Sequence, residues 1–210
     1  LEIIKGKGSY LWDSKGSKLL DFTSGIAVTN IGHTNSYWVN SVTKQINELV
    51  HCSNLFSIPQ QVKLAKRIVG KIDPGKMLFC NSGAEANEAL IKFSRLVGKK
   101  TQESKRYKLL VAENGFHGRT MGALSATSSP KYRNGFEPLL EGFSFAPLND
   151  IEAFKSKIDD QTIGIMVESI QGEGGIQVAT DEFLLGIEKL CKENESILES
   201  LSNIEPINES

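Results

Sequence analysis

Apolar positions change their period along the chain, and the changes mark its elements. Ser9-Tyr10-Leu11-Trp12-Asp13 and Lys18-Leu19-Leu20-Asp21-Phe22 flank Ser14-Lys15-Gly16-Ser17, two short extended runs about a turn glycine that predict a β-hairpin. Val39, Val42, Ile46, Leu49 and Val50 then recur at helical spacing and predict a helix over 36–50. Pro59 suits a first helical turn and Gly70 a stop, with Val62, Ala65, Ile68 and Val69 between them on one side. From Met77 onward, short apolar runs alternate with amphipathic stretches. The runs 77–80, 108–112 and 163–167 read as strands, and helices are expected through Leu90, Phe93, Leu96 and Val97 as far as Gly98, near 120–126, after the Asn149-Asp150 cap, and through Phe183, Leu184, Ile187, Leu190 and Cys191. Near-continuous apolar strands separated by helices predict an α/β domain with a mostly parallel sheet and helices on both faces.

This pattern divides into a hairpin and helix segment over 1–50, part of a large domain over 51–194, and a divergent tail over 195–210 that is rich in Glu, Ser and Asn, too poor in apolar residues for a buried strand, and expected to be frayed or disordered. At 210 residues the chain can hold one large domain with an arm and bury roughly 70% of its unfolded surface. Its 24 basic and 25 acidic residues are interspersed, for a net charge of −1, which argues against a nucleic-acid stripe or a polybasic membrane patch. Apolar runs such as 163–167 are far too short to span a bilayer. Cys52, Cys80 and Cys191 are scattered, as are His33, His51 and His117, so no metal-ligand spacing emerges and free buried thiols are expected. No targeting peptide is visible, and the first residue is Leu1 rather than Met.

Three polar loops follow predicted strands, where open α/β sheets bind ligands. In the first, Asn81-Ser82-Gly83-Ala84 opens a helix, and unpaired N–H groups with the positive helix end would anchor a phosphate. An ordinary strand-to-helix connection capped by Asn81 or Ser82 fits the same residues. The second loop, Glu113-Asn114-Gly115-Phe116-His117-Gly118-Arg119-Thr120, offers a flat ring in Phe116 and a planar fork in Arg119 suited to a carboxylate or phosphate. It also fits a surface turn with a packed Phe and a solvated Arg. His117 could act as acid or base, or simply form a hydrogen bond. In the third, Glu168-Ser169-Ile170-Gln171-Gly172-Glu173-Gly174-Gly175, the acids either face a cavity or are solvated on a flexible turn, and Glu168 is open to a structural or a catalytic role.

Taken in order, Asn81-Ser82-Gly83-Ala84-Glu85-Ala86-Asn87-Glu88-Ala89, Phe116-His117-Gly118-Arg119-Thr120-Met121-Gly122-Ala123-Leu124-Ser125 and Glu168-x-Ile170-Gln171-Gly172-Glu173-Gly174-Gly175 resemble the class III aminotransferases, in particular the acetylornithine branch. Asp21-Phe22-Thr23-Ser24-Gly25-Ile26-Ala27-Val28, Ser53-Asn54-Leu55-Phe56 and 131–139 support the match, which runs from about residue 4 to Asn194. The resemblance implies a fold-type I large domain with pyridoxal 5'-phosphate as cofactor, a homodimer in the full-length enzyme, and small amino and keto acids as substrates. Ser82, Gly83 and Ala84 would bind the cofactor phosphate, Phe116 would stack on its ring, and Arg119 would bind a substrate carboxylate. Glu173 would pair with a later substrate-binding arginine. The implied reaction moves an amino group from N-acetylornithine to 2-oxoglutarate in arginine biosynthesis. Ornithine or 4-aminobutyrate are alternative donors, although relatives acting on free ornithine usually carry Trp where this chain has His117.

The same resemblance expects an Asp-Glu-x-Gln strand end, whose aspartate pairs with the pyridine nitrogen, and a later lysine that holds the cofactor covalently. Neither is present. Asp181-Glu182 opens a helix, and Lys189 and Lys192 precede the point where the match ends, so none is assigned the role. The chain is therefore expected to be a catalytically defective N-terminal portion, with a non-catalytic short form that binds a partner subunit or a phosphorylated ligand as the alternative. Ser169 stands where a proline is usual and Asn35 where a histidine is usual. A mitochondrial matrix location would fit eukaryotic relatives, and the cytoplasm others.

Overall fold

A computed structural model describes residues 1–71, 75–101, 106–194 and 197–201, in two units, Leu1–Met77 and Leu78–Ser210. The first unit opens with three antiparallel strands in the order β1 (Ile3–Lys7), β2 (Tyr10–Asp13) and β3 (Lys18–Leu20). The expected hairpin is β2–β3, and its turn is set by the Asp13 carboxylate, which accepts the N–H groups of Lys15 and Ser17 at 3.0 and 2.8 Å. β1 adds a strand that the alternation did not reveal. The turn α1 (Ser24–Ala27) is left-handed, with φ of 48°, 63°, 60° and 60° at Ser24, Gly25, Ile26 and Ala27, a conformation that costs L-residues roughly 1–2 kcal/mol each. The two expected helices follow as α2 (Ser36–Glu48), capped by Asn35, and α3 (Pro59–Val69). Neither buries a residue. Among the described residues of this unit only Asp13 is buried; Val42, Ala65, Ile68 and Val69 are half-buried, while Val39, Ile46, Val62 and Leu64 are exposed.

The second unit runs α4 (Gly83–Thr101), β4 (Lys108–Ala112), α5 (Met121–Ala126), α6 (Pro130–Arg133), β5 (Phe143–Ala146), α7 (Ile151–Lys157), β6 (Thr162–Glu168), β7 (Ile170–Gln171), β8 (Gln177–Val178), α8 (Asp181–Glu193) and β9 (Ile197–Leu201). Its main sheet is parallel throughout, in the order β5-β4-β6-β9. Successive residues of β4, and of β6 beyond the register shift at Ile163, serve opposite faces. Leu110, Ala112, Ile165 and Val167 pack with Phe154 of α7 and Phe183, Ile187 and Leu190 of α8. Leu109, Val111, Ile163 and Met166 pack with Ile91 of α4 and Ala126 of α5. The α/β expectation holds, with helices on both faces.

Several local expectations are corrected. Residues 77–80 belong to no strand, because no sheet neighbour among the described residues supplies ladder hydrogen bonds, and Leu78 is 58% exposed. Gly98 does not end α4; it is buried where a Cβ would collide with the Arg106 carbonyl, and the helix continues to Thr101. The buried stripe of α4 is Asn87, Ile91, Ser94 and Gly98, while Phe93, Leu96 and Val97 face out. Small residues win that face because the helix lies close against its neighbours. Strand β5 and the β7–β8 pair went unread. Of the tail, 197–201 form β9 along the free edge of β6, where backbone pairing does not require an apolar-rich sequence; 195–196 and 202–210 lie outside the described residues.

Candidate functional site

The strand order dictates where the loops meet. The chain leaves β4 toward β5 on one side and leaves β6 toward β9 on the other. Loops from adjacent strands that leave in opposite directions open a crevice at their carboxyl ends. The loop after β4 carries Phe116 and Arg119, and the stretch after β6 carries Glu173. At the crevice the Phe116 N–H donates to the Glu168 carboxylate at 3.1 Å, and Gln171 Nε2 donates to the Glu113 carbonyl at 2.7 Å. Gly174 permits the approach, since a Cβ there would lie 2.7 Å from the Asn114 carbonyl oxygen.

The start of α4 supplies a second wall. Ser82 Oγ accepts the Glu85 N–H at 3.2 Å and the Glu85 carboxylate accepts the Asn81 N–H at 2.6 Å, a reciprocal cap. Because the first intrahelical bond runs from Ala86 N–H to the Ser82 carbonyl, the N–H groups of Gly83 and Ala84 are left for another acceptor. Nothing lies within 4 Å of the position a Gly83 Cβ would take, so there is open space beside Gly83. An anion such as a phosphate fits there.

The turn and the second loop are packed as one piece. Gly118 has φ of +127°, and a Cβ on it would sit 2.8 Å from Ala84 Cβ. Asn87 Nδ2 donates to the His117 carbonyl at 2.6 Å, and His117 N–H donates to Thr127 Oγ1 at 3.2 Å. His117 is 2% exposed and neither ring nitrogen has a partner among the described residues, so the hydrogen bond expected of the ring is not seen there, and burial pushes its pKa down to about 4. Burial likewise raises the Glu168 carboxyl above its ordinary value; the Phe116 N–H opposes this and Glu173 adds to it.

Tyr132, in α6, joins the three expected side chains of the crevice. Its ring meets Phe116 edge-on at 5.4 Å and lies 5.2 Å from the Arg119 guanidinium, and its hydroxyl is 3.4 Å from Glu173 Oε2. Arg119 is exposed, and no carboxylate among the described residues pairs with it. Phe116, Tyr132, Glu173 and Lys131 line a cavity of about 150 Å³. A larger cavity, about 360 Å³, contains none of the expected site residues; its Arg133 leans on Phe145 and its Glu137 accepts the Gly135 N–H, so it offers less free chemistry.

The second unit thus gathers Phe116, Arg119 and Glu173 around Tyr132 and ties the Ser82–Ala84 turn to their loop. Lys189 and Lys192 lie elsewhere, each with a carboxylate four residues away on α8. Sequence reading gave no role to Tyr132, Asn87 or Glu88. For Asn87 a signal existed: it heads the series 87, 91, 94, 98, which shares one helical face. Tyr132 had none, because its partners come from two other segments. No helix among the described residues is long and apolar enough to cross a membrane.

Comparison with known proteins shows the family. A family model described as aminotransferase class-III matches residues 1–198. The acetylornithine aminotransferase of Caldanaerobacter subterraneus subsp. tengcongensis is 49% identical over 193 residues, covering 92% of this chain and 49% of the relative. The mitochondrial acetylornithine aminotransferase of Neurospora crassa is 46% identical over 203 residues, covering 93% of this chain and 44% of the relative. Among solved structures, a Toxoplasma gondii ornithine aminotransferase with partial occupancy of pyridoxal phosphate at its active site superposes with a TM-score of 0.87 at 27% identity, covering 95% of this chain and 48% of that one. The chain spans about half the length of the relatives it matches.

Proposed function

The chain belongs to the class III aminotransferases, a pyridoxal-phosphate-dependent family, and we propose on that premise that it builds the phosphate and carboxylate walls of an acetylornithine-type active site. The carrying observation is the convergence, at the crevice between β4 and β6, of an aromatic ring, an unpaired guanidinium and a carboxylate, with the open helix start packed against the same loop. The names of the relatives point to acetylornithine as the amino donor, and the class III resemblance implies 2-oxoglutarate as the acceptor.

The free donors and open space at Gly83 fit the cofactor's phosphate, so the fit is chemical as well as familial. Pyridoxal phosphate, when bound, supplies an electron-withdrawing ring next to the carbon that carries the amine. This chain's own part is positioning. Gly83 and Ala84 N–H groups, with Ser82 beside them, would hold the phosphate; Phe116 would offer its face to the ring; Arg119 would take a substrate carboxylate as a planar fork, each such bond contributing roughly 1.5–3 kcal/mol. Glu173, steadied by the Tyr132 hydroxyl, would receive a cationic partner from outside the described residues.

We assign the covalent role to none of Lys131, Lys189 and Lys192. Lys131 lines the cavity, but its ammonium sits 5.4 Å over the Tyr132 ring. We therefore assign turnover to the full-length protein, and a homodimer to it as well, with exposed Val39 and Ile46 of α2 and Val62 and Leu64 of α3 offering apolar surface to a partner. The test is to titrate the chain with pyridoxal phosphate, trap with borohydride and map the adduct. Saturable binding without one stoichiometrically labelled lysine is expected. A single labelled lysine together with transaminase activity would sink the assignment of turnover elsewhere.

A further inference from the structure

Helix α4 presents Gly83 and Ala84 at its start and, one turn further on the same face as Ala84, the carboxylate of Glu88. Glu88 Oε1 accepts from Thr120 Oγ1 at 2.6 Å, from Gly122 N–H at 2.8 Å and from Ala123 N–H at 3.2 Å. These backbone donors belong to the first turn of α5, where no intrahelical acceptor exists. Thr120 occupies the cap position of α5 but makes no side-chain cap of its own; its hydroxyl goes to Glu88 instead. A Cβ on Gly122 would meet the Glu88 carboxylate, so glycine leaves room for it at the start of α5. Burial alone would raise the Glu88 pKa, yet Thr120, Ala123, Gly122 and Lys92 together hold it below the ordinary value. An ionised cap lent by one helix to another is a strong, directional lock.

We infer that Glu88 is a positioning residue of the site: it fixes the loop bearing Phe116 and Arg119 to the helix whose first turn receives the phosphate, so that ring, guanidinium and phosphate donors share one frame. This rests on reading the site as a pyridoxal-phosphate site. Glu88 itself touches neither cofactor nor substrate and acts through α5 and Arg119.

The test uses the full chain as wild type, Glu88→Gln and Glu88→Ala, with Ile187→Ala from the opposite core layer as a variant that loses only stability. Pyridoxal phosphate affinity, the induced circular dichroism of the bound ring at saturation, and amide hydrogen exchange at Gly122 and Ala123 are read together. Glu88→Ala should bind about tenfold or more weakly, change the induced signal and speed both amides. Glu88→Gln keeps the acceptor oxygen and should recover affinity to within about threefold. Ile187→Ala should melt earlier with affinity and signal unchanged. Glu88→Ala with wild-type affinity and signal overturns the proposal. A wild-type chain that binds no pyridoxal phosphate sinks the cofactor reading separately. Exchange then decides the positioning role: fast amides in Glu88→Ala with recovery in Glu88→Gln support it, and unchanged amides overturn it.

Discussion

Lowering the pH through the titration range of His117 tests the packing behind the second loop. The ring is buried, with both nitrogens unpartnered, and its pKa falls from an ordinary 6.5 to about 4. Above about pH 6.5 both folded and unfolded chains carry it neutral, and it adds no pH dependence. Below that the unfolded chain takes a proton that the folded chain refuses, so stability declines until the folded ring is protonated near pH 4. Integrated from about pH 7.5 to about pH 5, the loss is about 2 kcal/mol, against a ceiling of about 3 kcal/mol at lower pH. Glu168 pulls the other way: its raised pKa means the folded state gains a proton first on acidification, which offsets part of the loss. Urea unfolding of wild type and His117→Phe across this range measures the term. The variant should lose the acid sensitivity that the histidine contributes. Equal slopes in both proteins would refute the account of a buried, unpartnered imidazole.

Other outcomes follow from single contacts. Gly118→Ala places a methyl against Ala84 at a φ of +127° and should cost about 2 kcal/mol or more, read by melting, with weaker pyridoxal phosphate binding in the same titration. Asn87→Ala leaves the buried His117 carbonyl without its donor and should cost about 1–3 kcal/mol by urea unfolding. Arg119→Ala should weaken binding of 2-oxoglutarate by about tenfold, with Arg119→Lys restoring only part because an ammonium is not a fork; calorimetry decides, and phosphate binding should persist in both. Burial raises the Cys191 thiol to about 11, so a thiol reagent should label exposed Cys80 at once and Cys191 only on unfolding.

Much of the second unit was legible because its signals are local. The runs at 108–112 and 163–167 mark β4 and β6 to within a residue at each end, since strands buried on both faces must be apolar throughout. Asn149-Asp150 signalled a cap, and Asp150 does accept the Ala153 N–H at 2.9 Å. Strand β5, Phe-Ser-Phe-Ala, was too short to stand out, and 77–80 read as a strand because composition cannot say whether a pairing partner is present. Helix α4 misled through Phe93, Leu96 and Val97, whose hydrophobicity outweighs that of the stripe it buries.

By itself the sequence determined the alternation of elements, the three loops and the types of group they carry, because period, capping and glycine placement act over a few residues. Tertiary structure decided which of those groups meet. Tyr132 joins Phe116, Arg119 and Glu173, and Glu88 locks α5 to α4, through partners 13 to 41 residues away in the chain. Such contacts depend on strand order and on the direction in which each loop leaves the sheet. Neither leaves a trace in the spacing of one segment.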